Sequence, residues 1–292
     1  SYQLTQAGAN VKAIIEALPR EGGFPVQANR VRRLGIPILT NQLLVKAIPN
    51  DNYDGIVGAV VAESSNFEPV PVSERVIENI DAINICTGFV SDDVLLTKGK
   101  EVFGRTCHGA GDAIRIGEGT SAVLRGKQVA YEILEEMKER YNYHEYLNIS
   151  KEYIDSQQEP IAVLDEPKIP GKERREEKPY VLIDCLHGFA CNPCAFACPF
   201  GAITKSSTST VPRIDYDKCT GCMKCVSQCP GLAIFGYNQK KDWLFLPIEM
   251  NVEENTEVFL VDNQGKKLGE GVIEKVLKKP NKTHVARVKS HD

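Results

Sequence analysis

CLHGFACNPCAFACPFGAI, residues 185–203, and CTGCMKCVSQCPGLAIF, residues 219–235, hold eight of the chain's ten cysteines. The two runs nearly superpose at an offset of 31 residues. Cys191, Cys194 and Cys198 fall on Cys222, Cys225 and Cys229, Pro199 on Pro230, and Ala202-Ile203 on Ala233-Ile234. Self-similarity at a fixed period marks a duplicated structural unit. One member breaks the match: the partner of Cys219 should stand at 188, but that residue is Gly188, and the cysteine lies three residues earlier, at Cys185.

The second run reads C-x2-C-x2-C-x3-C-P, the spacing of bacterial iron–sulfur ferredoxins. A cubane needs thiolates converging from several directions. Closely spaced cysteines wrap three around one cluster, and the fourth, followed by proline, turns away toward the other. The duplication therefore predicts two [4Fe–4S] clusters with crossed ligands. Cys185, Cys191, Cys194 and Cys229 would hold the first. Cys219, Cys222, Cys225 and Cys198 would hold the second. Zinc is the alternative for CxxC pairs, but triplets each ending in Cys-Pro favour cubanes. Gly188 relaxes the loop enough for Cys185 to close the first site, the alternative being a three-cysteine [3Fe–4S] site. Phe196, Ile203 and Ile234 are candidates to exclude water, and His187 is either a donor to a cluster sulfur or an exposed loop residue. The module resembles two-cluster ferredoxins over roughly 55 residues.

The remaining chain is too long for this module alone. Its 292 residues allow two or three domains, and 42% hydrophobic content fits a globular protein. A net charge of -4 gives no basic footprint for nucleic acid. No apolar run reaches transmembrane length, and no secretory segment opens the sequence. Cysteines at metal-ligand spacing in a large chain argue for a reducing compartment, the cytoplasm, rather than a disulfide scaffold. The sequence starts at Ser1 and reads as a cut through an α/β unit.

Upstream, residues 11–17 (VKAIIEA) suit a buried parallel strand. A helix up to Leu34 with a Gly35 cap leads to a strand near 36–39. LLVKAIP and GIVGAVVAE, joined by NDNYDG, read as a hairpin. ENIDAINICTGF reads as a strand ending in a turn. GTSAVLRGKQVAYEILEEMKERY has a helical period with Ala122, Val129 and Ile133 inward. The charged, proline-bearing EPKIPGKERREEKPY reads as a linker crossing the surface or a solvated arm. The tail beyond Trp243 reads as four or so short strands, a small barrel or sandwich. Cys86 and Cys107 read as small buried residues.

DAINICTGF at 81–89 and RTCHGAGDAIRIGEGTSAVLRGKQVAYEIL at 105–134 together resemble the C-terminal half of the FAD/NAD-linked two-dinucleotide-domain flavoproteins. That resemblance implies an FAD site at Thr87, Gly88, Gly111, Asp112, Thr120 and Ser121. Asp112 would bond a ribityl hydroxyl, and the helix from Thr120 would face the pyrimidine edge of the flavin. It also makes the front of the chain the second half of an inserted NAD-like domain, with Glu16 at the adenosine ribose. NAD(P) is thus a further candidate cofactor. The G-x-G-x-x-G loops of both domains do not occur here, so a further polypeptide or preceding segment would complete them.

Within that family the combination resembles the α-type subunit of dye-linked proline, hydroxyproline or opine dehydrogenase complexes. The resemblance implies an amine-oxidising flavoprotein partner and, as a further candidate, a small iron–sulfur subunit. The departure is a complete two-cluster module where many members carry one [2Fe–2S] motif, which points toward low-potential electrons in an anaerobe. The resulting expectation is an FAD/iron–sulfur oxidoreductase subunit. Alternatives are an NAD(P)H:acceptor reductase subunit resembling the small subunit of glutamate synthase, and an electron carrier with a degenerate nucleotide-binding scaffold. The expected fold is α/β, with partial Rossmann-like FAD/NAD domains, plus an α+β ferredoxin-like two-cluster module and a small all-β C-terminal domain. Its expected parts are 1–65 (NAD-like half), 66–140 (FAD half), 141–179 (linker), 180–238 (cluster module) and 239–292 (β domain).

Overall fold

A short helix, α1 (Tyr2–Gln6), precedes β1 (Ile14–Ile15), α2 (Pro25–Arg32) and β2 (Ile38–Leu39) in this computed structural model. The structure describes residues 1–117, 119–136, 167–186, 191–205 and 211–291, without the side chains of 119–121 and 135. Strands β1 and β2 pair in parallel, Ile14 with Ile38 and Ile15 with Leu39, with α2 as the crossover. Pro25 stands in the first helical turn, where a missing N–H costs nothing. Gly35, at φ +77, lies just past the helix end, as the sequence predicts. The strand expected over 11–17 shrinks to two residues.

The expected hairpin is present: β3 (Gln42–Pro49) pairs antiparallel with β4 (Ile56–Ser65). Asn50 and Asp54 hydrogen-bond across its turn, with Asn50 Nδ2 donating to Asp54 Oδ1 at 2.8 Å. A short β5 (Glu68–Pro69) and β6 (Arg75–Glu78) also pair with β4. This makes β4 the central strand, and Val61 and Ala62 are fully buried. The strand expected through ENIDAINICTGF ends at Glu78. Residues 81–93 form no regular structure and are almost all exposed. Among the described residues no strand pairs with them. Helix α3 (Val94–Phe103), unread in the sequence, buries no side chain. Single 3-10 turns follow at Gly104–Thr106 and Gly111–Ala113. Helix α4 (Gly119–Glu136) appears where expected, with Ala122, Val129 and Ile133 half-buried.

The cysteine module begins with α5 (Lys172–Glu177) and β7 (Tyr180–Ile183). It continues with α6 (Pro193–Ala197), β8 (Ile203–Thr204), β9 (Arg213–Ile214) and β10 (Ile234–Asn238). The tail adds β11 (Trp243–Ile248), β12 (Glu257–Val261), β13 (Lys267–Leu277) and β14 (His284–His291). These tail strands do not stand apart. One six-stranded sheet runs β12-β13-β14-β11-β10-β7, so the expected boundary at 238/239 falls inside a continuous sheet. The physical reason is that β10 must hydrogen-bond on both edges. It takes β7 on one side and β11 on the other. Val285 of β14, fully buried, packs into the same core as Cys194, Cys219 and Cys225.

The charge run before the module is not a solvated arm at its described end. Arg174 of α5 donates Nε to Tyr216 O (3.1 Å), Nη1 to Lys178 O (2.9 Å), and Nη2 to Pro179 O (3.3 Å) and Cys219 O (2.6 Å). A guanidinium carries five donors in one fork, which suits it to gather several carbonyls. The helix α2 also docks on the module. Arg30 donates to Pro230 O at 3.1 Å and pairs with Glu249. Arg33 donates to Leu232 O at 3.1 Å and Asn263 Oδ1 at 2.9 Å. Val26 lies so close above Gly231 that a Cβ there would fall 2.7 Å from its methyl.

Candidate metal centre

The 31-residue repeat governs how the cysteines are positioned. Strand β7 enters the first run and β8 leaves it, while β9 enters the second and β10 leaves it. The pairings cross: β10 pairs with β7, Ile234 opposite Ile183, and β8 pairs with β9, Ile203 opposite Ile214. Ile183-Asp184 and Ile214-Asp215 are themselves 31 residues apart, so the repeat reaches further than the cysteines. The hydrogen bonds repeat as well. Asp184 N donates to Ala233 O and Asp215 N to Ala202 O, both at 2.8 Å. Each run's last cysteine thereby faces the other run.

The thiols consequently fall into two mixed groups. Cys191 and Cys194 lie within electrostatic reach of Cys229, from the other run. Cys185 acts on the same lysine, Lys205, as Cys191 and Cys194. Cys225 in turn feels Cys219, Cys222 and Cys198. Those four thiols also line one cavity, together with Ile203 and Val181. Backbone amides point at the crossing sulfurs: Ala202 N donates to Cys198 Sγ and Ala233 N to Cys229 Sγ, both at 3.3 Å. Amides bonded to sulfur favour the charged thiolate. An all-thiol donor set around a cavity, with amides turned to its sulfurs, fits an iron–sulfur group. Among the described residues no three Cys, His, Asp or Glu side chains stand at the spacing of a single bound ion.

Burial fixes the proton state of the metal-free thiols. Cys225 is pushed up from the ordinary 9.0 to about 12, first by burial and then by the neighbouring thiols. Cys191 and Cys194 are raised mainly by burial, and Cys229 is raised by burial against the lowering pull of its amides and of Arg33. These groups are protonated at neutral pH, whereas metal ligation requires thiolate, so loading must release protons. Higher pH deprotonates the thiols and favours loading; lower pH opposes it. Iron and sulfide per chain after anaerobic reconstitution should therefore rise with pH across the neutral-to-alkaline range.

Other expected residues fare differently. Ile203 and Ile234 are buried at 4% and 1%, but Phe196 is 84% exposed and cannot exclude water. It occupies the outer face of α6, whose inner face carries the buried Cys194. Cys86, expected buried, is exposed in the strandless 81–93 stretch, and Cys107 is half-buried against Gly99. His187 and Gly188 lie outside the described residues.

At the residues assigned to flavin, Gly111 has φ +58 and faces Ala122 of α4, and Asp112 accepts from Gly117 N at 3.3 Å. Thr87 and Gly88 lie in the exposed 81–93 stretch, and the side chains of Thr120 and Ser121 lie outside the described ones. Glu16 stands just past β1, but its carboxylate accepts from Leu18 N (3.0 Å) and Gly22 N (3.4 Å) within its own loop. Sequence reading missed Arg33 and Arg174, which reach the cysteine loops from distant segments.

No solved structure matches the chain. About 18% of it, 52 residues, is 44% identical to a subunit of the selenate reductase of Mesobacillus selenatarsenatis, covering 16% of that protein. A stretch of 51 residues is 39% identical to the PorD subunit of pyruvate synthase from Methanocaldococcus jannaschii, covering 58% of it. The chain thus spans less than two thirds of the length of either curated relative. Residues 212–235, which hold Cys219, Cys222, Cys225 and Cys229, match the 4Fe-4S binding domain, so the chain carries an iron–sulfur domain of that family.

Proposed function

We propose that this chain is the iron–sulfur electron-transfer subunit of an oxidoreductase complex, with two [4Fe–4S] clusters held by crossed cysteine sets. The observation that carries the reading is the mixing of the two runs. Cys229 joins Cys191 and Cys194, while Cys198 joins Cys219, Cys222 and Cys225. Cys185 completes the first set. Bound clusters supply one-electron transfer, and the chain's residues place them, desolvate them and direct amides at their sulfurs. The similar proteins are themselves named as subunits, which supports a multi-chain setting.

A partner is further supported by the surface. Ile85, Phe89, Val90, Leu95, Val102 and Phe103 are all well over half exposed within one short stretch. Such a concentration of apolar side chains is typical of a covered surface. The similar proteins, named as subunits, support a protein as that partner.

The finer reading adds FAD at Gly111-Asp112 and an amino-acid dehydrogenase complex. It rests on the resemblance, on the parallel β1–α2–β2 unit and on the left-handed Gly111 leading toward α4. Glu16's commitment to its own loop weighs toward the carrier reading and away from NAD(P). One anaerobic preparation tests all of this by iron, sulfide and flavin content. About eight irons per chain is the expected result, and about four would overturn the two-cluster assignment. Bound flavin bleached by proline supports the dehydrogenase; bleaching by NADH supports the reductase; no flavin leaves the carrier.

A further inference from the structure

Under the repeat, the surroundings of the two thiol sets nearly cancel. Each crossing sulfur accepts the amide four residues on, at 3.3 Å. Each set has one cation on a cysteine carbonyl: Lys205 Nζ on Cys191 O at 2.8 Å, and Arg174 Nη2 on Cys219 O at 2.6 Å. Among the described residues, Arg33 is the buried cation without a counterpart, since α2 lies outside the repeat. Its side chain is mostly buried, 16% exposed, and the guanidinium reaches the loop 229–233 by its bond to Leu232 O. That loop supplies the amides facing Cys229. Its charge acts on Cys229 directly, and Asp184 Oδ2 stands 4.0 Å away, at the outer limit of an ion pair.

Resting on the two-cluster reading, we propose that Arg33 is a positioning residue that sets the reduction potential of the first cluster alone. Adding an electron makes a cluster more negative, and a fixed cation beside its ligand favours that state. The charge is little screened because it is buried. Arg30 serves as the internal control. It anchors the same helix to Pro230 O, but its charge is taken up by Glu249.

The test is a redox titration of the cluster-loaded chain followed by EPR. The first-cluster signal is identified as the one that survives Cys198→Ala. Arg33→Met should lower the reduced-to-oxidised ratio of that cluster about tenfold at the wild-type midpoint, about 59 mV for a one-electron couple. The second cluster should not move. Arg33→Lys should restore most of the shift, and Arg30→Met should leave both clusters near wild type. Equal shifts in both clusters, or a shift with Arg30→Met as large as with Arg33→Met, would overturn the proposal. So would an unmoved first cluster. If Arg33→Met does not load, Arg33→Gln against Arg33→Lys carries the same comparison. An iron content of about four in the wild-type chain would instead defeat the two-cluster reading itself.

Discussion

Replacing Cys198 by alanine should empty the second cluster site and spare the first, although Cys198 lies in the first cysteine run. The thiol stands with Cys219, Cys222 and Cys225, and lines the same cavity. Iron should fall from about eight to about four per chain, and the reduced EPR spectrum should simplify to one uncoupled centre. Cys229→Ala should give the mirror result, emptying the site of Cys185, Cys191 and Cys194. Loss of the run-matched cluster in either variant would mean that the ligands are not crossed. The stability cost should also be large. Cys219 and Cys225 are each 7% exposed and belong to the main core with Val226 and Ile234. Emptying the site leaves buried thiols around a void, and metal binding energy is folding energy in such modules. The melting transition of the variant should therefore drop sharply and lose cooperativity.

Gly221→Ala should be nearly as damaging without touching a thiol. Gly221 sits between Thr220 and Cys222 at φ +69, a conformation that costs an L-residue about 1–2 kcal/mol. A Cβ there would overlap the carbonyl oxygen of Pro179 and fall 2.6 Å from its carbonyl carbon. Backbone cannot yield as a side-chain tip can, and Pro179 is itself held by Arg174. Overpacking of this kind adds about 1–3 kcal/mol. Together, about 2–5 kcal/mol is a large share of the ~5–15 kcal/mol that holds a domain folded. Gly201→Ala provides the control. Its φ of +60 is similarly strained, but nothing lies within 4 Å of the added methyl. Thermal melts of the loaded proteins should place Gly201→Ala clearly nearer wild type. Equal losses would show that the approach of Pro179 does not matter.

The two-run repeat is legible in the offset, and the expectation that the runs cross comes from the ferredoxin spacing; the structure sets Cys229 beside Cys191 and Cys194, and Cys198 beside Cys219, Cys222 and Cys225. The hairpin at 42–65 and the helix ending before Gly35 were legible from turn residues and caps. The extension of the repeat to Ile183-Asp184 and Ile214-Asp215 is a two-residue match, too short to notice until the paired 2.8 Å bonds display it. Arg33 and Arg174 carry no local signal. Arg33 meets Leu232 across 199 positions, and one sequence does not record such contacts. The separate tail domain was misread because alternating apolar residues report that a strand exists, not which sheet it joins. The strand expected at 81–89 had apolar content but no partner in the described chain, and composition cannot reveal a missing neighbour. Phe196 shows the same limit: the residue type favours burial, but its place on α6 puts it outside.

The continuous sheet also has a consequence in time. Val285, on β14, closes the core over Cys194, Cys219 and Cys225, yet it is made long after them. Roughly 54 residues separate Cys229 from His284, the first residue of that strand. At about 5–20 residues per second of synthesis, the cysteines wait about 3–10 s before their cover exists. During that interval the nascent thiols are open to donors of iron and sulfide, and equally to oxidants. A ribosome pausing anywhere in the tail would lengthen both exposures.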